Sequence, residues 1–305
     1  MRAFHAATRC LAAAALVGIA GSASALNLTL GDVAVRNLDT FGFTAANSQL
    51  MTDWNGTSGT DQLYQMYGYV GTVSGSGNAN RGGMTAINAS SFTVNSAIAA
   101  TGLNSASSTI TLNRNLGNGT ARLNSGALTI TNTFTLVDDT SASDLDRLDW
   151  NVSFTNNSTS TISFVFYSYL DLDLLGTPAN DLVTVQNGGQ QIVVRDATNP
   201  AGRPFVWNAQ SGTASHFQVS AFPGLQNALN GMTSAQNLND TNALASAQGD
   251  VTAAFQYFIT LAPGQTTSLT STVDEPQTFA LLALGLGGLA LYARPRRSAV
   301  RVTER

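Results

Sequence analysis

The stretch ALTITNTFTL, residues 127–136, indicates the fold class, because apolar and polar side chains alternate along it. The apolar set is Leu128, Ile130, Phe134 and Leu136, and the polar set is Thr129, Thr131, Thr133 and Thr135. Successive side chains of a β-strand point to opposite faces of a sheet. The pattern therefore predicts a strand with one face in the core and the other towards water.

Two more strand patterns follow along the chain. Trp150, Val152 and Phe154 share one face of the first, and the second is TISFVFYSYLDLDLL, residues 161–175, again with alternating apolar residues. The intervening Asn156-Asn157-Ser158 is typical of a turn. The simplest interpretation is a hairpin of two antiparallel neighbours.

The rest of the middle region also consists of short strand patterns. LVTVQNGGQQIVVRD, residues 182–196, places Asn187-Gly188-Gly189 between two β-branched runs, which predicts a hairpin because these residues tolerate positive φ. HFQVSAF (216–222) and AAFQYFITL (253–261) predict two further strands, and residues 225–248 predict a loop with one or two short helical turns. Many short strands without intervening helices predict an all-β, antiparallel β-sandwich over residues 26–273, with an irregular β-barrel as the alternative.

Charge excludes one class of partner. The chain has a net charge of −4, but residues 26–273 contain fifteen aspartates, seven arginines and no lysine, which leaves −8 for this region. Such a surface repels a phosphate backbone, so nucleic acid is excluded as a partner. Cys10 is the only cysteine, so no disulfide holds residues 26–273 together.

The first 25 residues, MRAFHAATRCLAAAALVGIAGSASA, have the three-part order of a secretory signal peptide. Arg2 and Arg9 form a positive region, residues 11–20 are apolar, and Ala23-Ser24-Ala25 is an A-x-A cleavage motif. We expect export from the cytoplasm and cleavage by signal peptidase after Ala25.

The other end of the chain carries an uncharged run over residues 278–293. As a helix this run reaches ~24 Å, slightly short of the ~30 Å hydrocarbon layer, so it spans an inner membrane only with local thinning. Arg294, Arg296 and Arg297 follow it. Because positive charge stays on the cytoplasmic side, we expect the basic tail, residues 294–305, to remain inside.

Residues 274–305 resemble the C-terminal sorting signal of PEP-CTERM proteins, which is a Pro-Glu-Pro motif, an apolar helix and a basic cluster. The motif falls on Glu275 and Pro276, with Asp274 in the place of the first proline, and the cluster falls on Arg294, Arg296 and Arg297. The resemblance implies a transient stay in the inner membrane, removal of the tail by an exosortase, and transfer to the outer surface of a Gram-negative bacterium. A plain single-pass membrane anchor is the alternative.

One face of the strand predicted over residues 162–174 carries the best candidates for ligand-binding or catalytic side chains. Alternation places Tyr167, Tyr169, Asp171 and Asp173 on the side opposite the apolar residues. Aromatic rings beside carboxylates form a surface for a sugar, which is one hypothesis for these residues. The other is a strand packed on both faces near its middle, with its aspartates solvated at the end.

The same aspartates predict a metal site of irregular form. Asp171, Asp173, Asn180 and Asp181 supply the clustered oxygens that calcium requires. An EF-hand is excluded, because Leu175 and Leu182 stand where an oxygen ligand and the bidentate glutamate are needed. Calcium is therefore the one cofactor that the sequence suggests.

Catalytic motifs are not found. His216 is the only histidine after the signal peptide, and neither G-x-S-x-G nor H-E-x-x-H occurs. We therefore expect a non-enzymatic protein of the cell surface or extracellular matrix, associated with exopolysaccharide. The alternatives are a glycan-processing enzyme that uses Asp171 and Asp173, and a membrane-anchored binding module.

Overall fold

A computed structural model describes residues 26–30, 33–39, 42–43, 51–52, 63–73, 81–137, 147–174, 177–199, 204–209 and 214–274. The predicted signal peptide, the Glu275-Pro276 motif, the apolar run 278–293 and the basic tail lie outside these residues. No helix in the described ranges has the length and hydrophobicity that crossing a membrane would take.

The described chain consists mainly of β-strands. The first eleven are β1 (Leu26–Leu30), β2 (Val33–Asp39), β3 (Gly42–Phe43), β4 (Met51–Thr52), β5 (Gln65–Val73), β6 (Arg81–Ala86), β7 (Phe92–Ala100), β8 (Ser105–Leu112), β9 (Leu116–Asn118), β10 (Ala121–Leu123) and β11 (Leu128–Val137). The others are β12 (Arg147–Asn156), β13 (Ile162–Leu172), β14 (Asp181–Gln186), β15 (Gln191–Asp196), β16 (Phe205–Ala209), β17 (His216–Ala221), β18 (Thr241–Asn242), β19 (Val251–Leu261) and β20 (Thr266–Asp274). The helix α1 (Gly224–Gly231) follows β17, and a 3₁₀ turn (Pro178–Asn180) precedes β14.

The strands form two large sheets. The ten-stranded sheet has the order β1-β2-β3-β5-β13-β19-β17-β18, with β4 paired to β2 and β6 paired to β5. The eight-stranded sheet has the order β14-β15-β16-β20-β12-β11-β8-β7, and β9 and β10 form a separate hairpin. Apart from the short β17–β18 pair, the described pairings are antiparallel, which confirms the predicted all-β class.

The two sheets pack face to face around a shared apolar core, as in a β-sandwich. Aromatic rings bridge them: Trp150 of β12 lies 6.1 Å from Phe166 of β13, and Trp207 of β16 lies 4.3 Å from Phe255 of β19, measured between ring centroids. On β11 the burial alternates residue by residue as the sequence predicts. Asn132, a polar residue on its core face, accepts a hydrogen bond from the indole N–H of Trp150, so its burial is compensated.

One predicted pairing is wrong. β12 and β13 are not hairpin neighbours, because β12 pairs with β11 and β20 in one sheet and β13 pairs with β5 and β19 in the other. The turn after Asn156 crosses between the sheets, and the Asn156 amide donates to the carbonyls of Ser160 and Leu261. Nearly every residue of β13 is buried, so this strand needs a position that is covered on both faces.

The outer face of the ten-stranded sheet is covered by α1 and the segment after it. Leu225, Leu229, Ala235 and Leu238 pack there against Tyr69, Val165, Tyr167 and Tyr169. The helix confirms the prediction of a short helical element in this region. The predicted hairpin at residues 182–196 is also confirmed, with Asn187 at φ 52°, Gly188 at φ 65° and Gly189 at φ 88°.

Candidate functional site

Three carboxylates converge where β13 ends and β19 begins. Asp171 lies near the end of β13, Asp173 follows that strand, and Asp250 precedes β19. The two strands are antiparallel, with Leu172 opposite Val251, so Asp250 comes beside Asp173. One oxygen from each of the three side chains lies within 4.8 Å of the other two. The sequence predicted Asp171 and Asp173 for a metal site but missed Asp250.

Asp181, which the sequence also predicts as a metal ligand, lies next to these three carboxylates. Its backbone exchanges hydrogen bonds of 3.2 and 3.1 Å with Gly249, the residue before Asp250. Its Oδ2 accepts a hydrogen bond from the Leu174 N–H, whereas its buried Oδ1 has no partner. Because Asp181 begins β14 of the eight-stranded sheet, carboxylates of both sheets meet here. Asp171, Asp173, Asp181 and Asp250 are called the acidic cluster below.

Burial and mutual repulsion perturb the acidic cluster. Burial raises the pKa of Asp181 to about 8, against the effect of the Leu174 N–H, and the charges of Asp196, Asp173 and Asp250 raise it further. Burial, followed by the charge of Asp173, raises the pKa of Asp250 to about 6. Burial also raises the pKa of Asp173. These shifts indicate that full ionisation of the cluster is unfavourable in the folded state.

We expect the stability of the chelator-treated protein to fall as pH rises from about 4 to about 8. In this window the folded chain keeps protons on Asp250 and Asp181, with pKa values of about 6 and about 8, that the unfolded chain has released. The unfolded state therefore binds fewer protons, and the free energy of unfolding decreases with pH. Urea unfolding at a series of pH values measures this, and stability that rises across the window would contradict it.

Asn180, which the sequence also predicts as a metal ligand, uses part of its side chain to bind Asp196. It ends the 3₁₀ turn, and its Nδ2 donates to Asp196 over 3.4 Å, while its Oδ1 has no partner. Burial would raise the pKa of Asp196, but hydrogen bonds from Thr198, Thr177 and Asn199 outweigh it and lower the pKa. Asp196 thus stays ionised beside the acidic cluster, and only the Oδ1 of Asn180 is available to a ligand.

The two tyrosines predicted for a glycan surface are buried instead. Tyr167 and Tyr169 are each 0% exposed, because α1 and the segment after it cover their face of β13. The Tyr167 hydroxyl donates to the Gln236 carbonyl over 2.6 Å and accepts from the Gln236 N–H over 3.1 Å. Neither ring is presented to solvent, so the hypothesis of a sugar-stacking face is wrong and the alternative, a strand packed on both faces, is confirmed. The solvated end of that alternative is wrong for Asp171, which is also buried.

The Tyr169 hydroxyl belongs to the surroundings of the acidic cluster. It is buried without a hydrogen-bond partner. Burial raises its pKa far above the ordinary value, and the charges of Asp171 and, more weakly, Asp250 raise it further. A neutral phenol can donate a hydrogen bond, and this one is near enough to Asp171 and Asp250 for their charges to act on it.

His216 is paired with Asp240. Its Nδ1 lies 2.7 Å from Oδ2 of Asp240, and the other oxygen of Asp240 accepts the N–H of Phe217. Asp240 immediately precedes β18, and β18 pairs with β17, the strand that carries His216. The pair therefore links two adjacent segments of the chain.

The solvent side of the eight-stranded sheet is a second feature of functional interest. Short polar side chains occupy its outward positions in register on four neighbouring strands: Ser105, Ser107, Thr109 and Thr111 of β8; Thr129, Thr131, Thr133 and Thr135 of β11; Asp149, Asn151, Ser153 and Thr155 of β12; Thr266, Ser268 and Thr270 of β20. We call this set the hydroxyl face. Cross-strand hydrogen bonds order it, such as Thr111–Thr129 at 2.8 Å and Asn151–Thr270 at 2.8 Å.

Comparison with known proteins identifies no family for this chain. No family model matches the sequence, and no curated protein matches it. Among solved structures, a polysaccharide lyase superimposes with a TM-score of 0.38 and 11% sequence identity, over 81% of this chain and 30% of the lyase. The chain thus spans less than a third of the length of that structure.

Proposed function

We propose that this chain is an exported, non-enzymatic protein of the cell surface or extracellular matrix that contacts exopolysaccharide through its hydroxyl face. The observation that carries the proposal is the regular spacing of short polar side chains across β8, β11, β12 and β20. Strands lie ~4.8 Å apart, and outward positions repeat every ~6.8 Å along a strand. The face is therefore a regular lattice of hydroxyl and amide groups, with the carboxylate of Asp149 at one end.

Such a lattice matches the chemistry of a polysaccharide. Each hydroxyl donates one hydrogen bond and accepts two, so the groups that already bond across strands keep acceptor capacity for a sugar hydroxyl. A single such bond adds only about 1 kcal/mol. A long polymer that touches several rows at once gains from multivalency, and this suits a protein that must hold a matrix.

We expect the double variant Thr131→Val, Thr133→Val to bind the polysaccharide of the producing cells about tenfold more weakly, since it loses two hydrogen-bonding groups of about 1 kcal/mol each or less. Valine keeps the shape and strand preference of threonine, so the sheet is retained. A pull-down with purified polysaccharide measures the loss.

Thr260→Val is the matched control for this experiment. Thr260 lies on β19 of the other sheet and forms a cross-strand hydroxyl pair with Ser163 at 2.9 Å. The control variant is expected to bind like the wild type. Equal binding by the double variant, or no binding by the wild type, would refute the role of the hydroxyl face.

The route to the surface is the second part of the proposal. Signal peptidase cleaves after Ala25, an exosortase acts at the Glu275-Pro276 region, and the inner membrane holds the chain only between these steps. Mass spectrometry of the protein from its own cells is expected to find a chain that begins at Leu26 and ends near Pro276. A retained C-terminus would favour the single-pass anchor.

Because of the acidic cluster, a glycan-processing enzyme is a second candidate function for this chain. Glycosidases use two facing carboxylates, and oxygens of Asp171, Asp173 and Asp250 lie within 4.8 Å of one another. Turnover of a polysaccharide panel that is abolished by Asp171→Asn would establish this activity and overturn the non-enzymatic proposal.

A further inference from the structure

We propose that Asp171, Asp173 and Asp250 bind a calcium ion where β13 ends and β19 begins, beside Asp181 of the other sheet. This inference is independent of the hydroxyl face. These three ligands belong to the ten-stranded sheet and its connections, and Asp181 of the eight-stranded sheet lies next to them through its backbone bonds to Gly249.

The first support is that buried polar atoms around the cluster lack partners within the protein. Asp181 is 0% exposed and its Oδ1 has no hydrogen bond, and the hydroxyl of Tyr169, also 0% exposed, has none. A buried oxygen without a partner carries an uncompensated desolvation cost. Two such atoms from different strands beside three close carboxylates point to a ligand between them.

The second support is the geometry of the oxygens. Two oxygens that share one calcium ion at about 2.4 Å each can lie at most about 4.8 Å apart. The oxygens of Asp171, Asp173 and Asp250 satisfy this limit for every pair. The three carboxylates therefore meet the distance condition for sharing a single ion.

The chemistry of the donors selects calcium. The cluster consists of carboxylates, with the unpartnered Oδ1 of Asn180 adjacent to it, and all-oxygen sites suit hard cations. Calcium accepts six to eight oxygens in irregular arrangements, whereas magnesium requires a near-ideal octahedron. The unpartnered Tyr169 hydroxyl, on which the charges of Asp171 and Asp250 act, is a candidate hydrogen-bond donor to a water on the ion.

The position of the site gives the ion a mechanical role. Asp171 and Asp250 are far apart in sequence but adjacent in space through the β13–β19 register, and Asp181 approaches them through its backbone bonds to Gly249. An ion held by Asp171, Asp173 and Asp250 fixes the end of β13 to the start of β19, next to the backbone hydrogen bonds that join Asp181 to Gly249. Calcium binding then stabilises the folded state by mass action.

The test uses the full mature chain, stripped with chelator and titrated with calcium. At about 10 mM calcium, and with the affinity of about 10⁻⁴ M typical of extracellular sites, we expect the melting temperature to rise by about 5–10 °C. Terbium, a luminescent substitute for calcium, is expected to emit when tyrosine is excited, because Tyr169 lies beside the cluster. Both signals are expected to vanish in Asp173→Asn and to persist in Asp149→Asn.

Asp149 is the control because it lies outside the cluster, in a surface ion pair with Arg147 at 2.9 Å. A cooperative melt of each variant in chelator shows that it folds. The proposal is overturned if the wild type shows neither the melting shift nor terbium emission, if Asp173→Asn keeps both, or if magnesium produces an equal shift.

Discussion

Replacing Asp250 by Asn is expected to have opposite effects with and without calcium. In chelator the variant should melt at the wild-type temperature or above it, because the substitution removes one negative charge that repels Asp173 and Asp181. In about 10 mM calcium the variant should melt about 5–10 °C below the wild type, because it loses stabilisation of about 2.7 kcal/mol at 100 times the dissociation constant. Calorimetry under both conditions measures the reversal.

The opposite effects on the melting temperature in chelator and in calcium distinguish a residue that binds calcium from one that only stabilises the fold. If Asp250 only held the fold together, its replacement would destabilise the protein equally in chelator and in calcium. Asp240→Asn is a useful comparison, since Asp240 has structural contacts with His216 and Phe217. We expect that variant to lose stability by the same amount under both conditions. Parallel losses in Asp250→Asn would count against the calcium site.

Replacing Tyr167 by Ala is expected to cost about 3–5 kcal/mol of the free energy of unfolding, as for other large buried aromatic side chains. The ring is fully buried between β13 and the segment after α1, and its hydroxyl holds Gln236 through two hydrogen bonds. The substitution leaves a cavity and two unsatisfied backbone groups at Gln236. We also expect residues 224–238 to lose protection against hydrogen exchange.

The Tyr167→Phe variant distinguishes the contribution of the buried ring to stability from that of the hydroxyl. It keeps the ring and removes only the hydroxyl, so a loss of about 1–3 kcal/mol is expected, together with faster exchange at the Gln236 N–H. A Tyr167→Ala protein as stable as the wild type would contradict the buried position of this residue. Any loss of polysaccharide binding in Tyr167→Ala must be compared with Tyr167→Phe, because the larger variant disturbs the cover of the sheet.

Local patterns were sufficient for the strands whose two faces differ in polarity. The alternation in residues 128–136 predicted a half-buried strand, and burial on β11 follows it residue by residue. The Asn187-Gly188-Gly189 turn was predictable because positive φ at three successive residues needs side chains that tolerate it. Both properties depend on neighbours in the sequence and require no knowledge of the rest of the chain.

The residues 162–172 show where local patterns fail. Both faces of β13 are covered, one by the other sheet and one by α1 with the segment after it. Alternation on such a strand does not tell which polar side chain reaches water. The sequence consequently left two hypotheses for Tyr167 and Tyr169, a sugar-binding surface and a strand packed on both faces, and only the structure decides for the second.

The sequence alone determined the β class, seven of the strands (β11 to β15, β17 and β19) and three of the four carboxylates of the acidic cluster, because alternation and turn chemistry are short-range properties. Only the tertiary structure decided that β12 and β13 belong to different sheets, that Tyr167 and Tyr169 are covered, and that Asp250 joins Asp171 and Asp173. These outcomes depend on the register between β13 and β19 and on which segment covers their outer face. Such pairings are set by packing between segments that are distant in the sequence, where no local pattern records them.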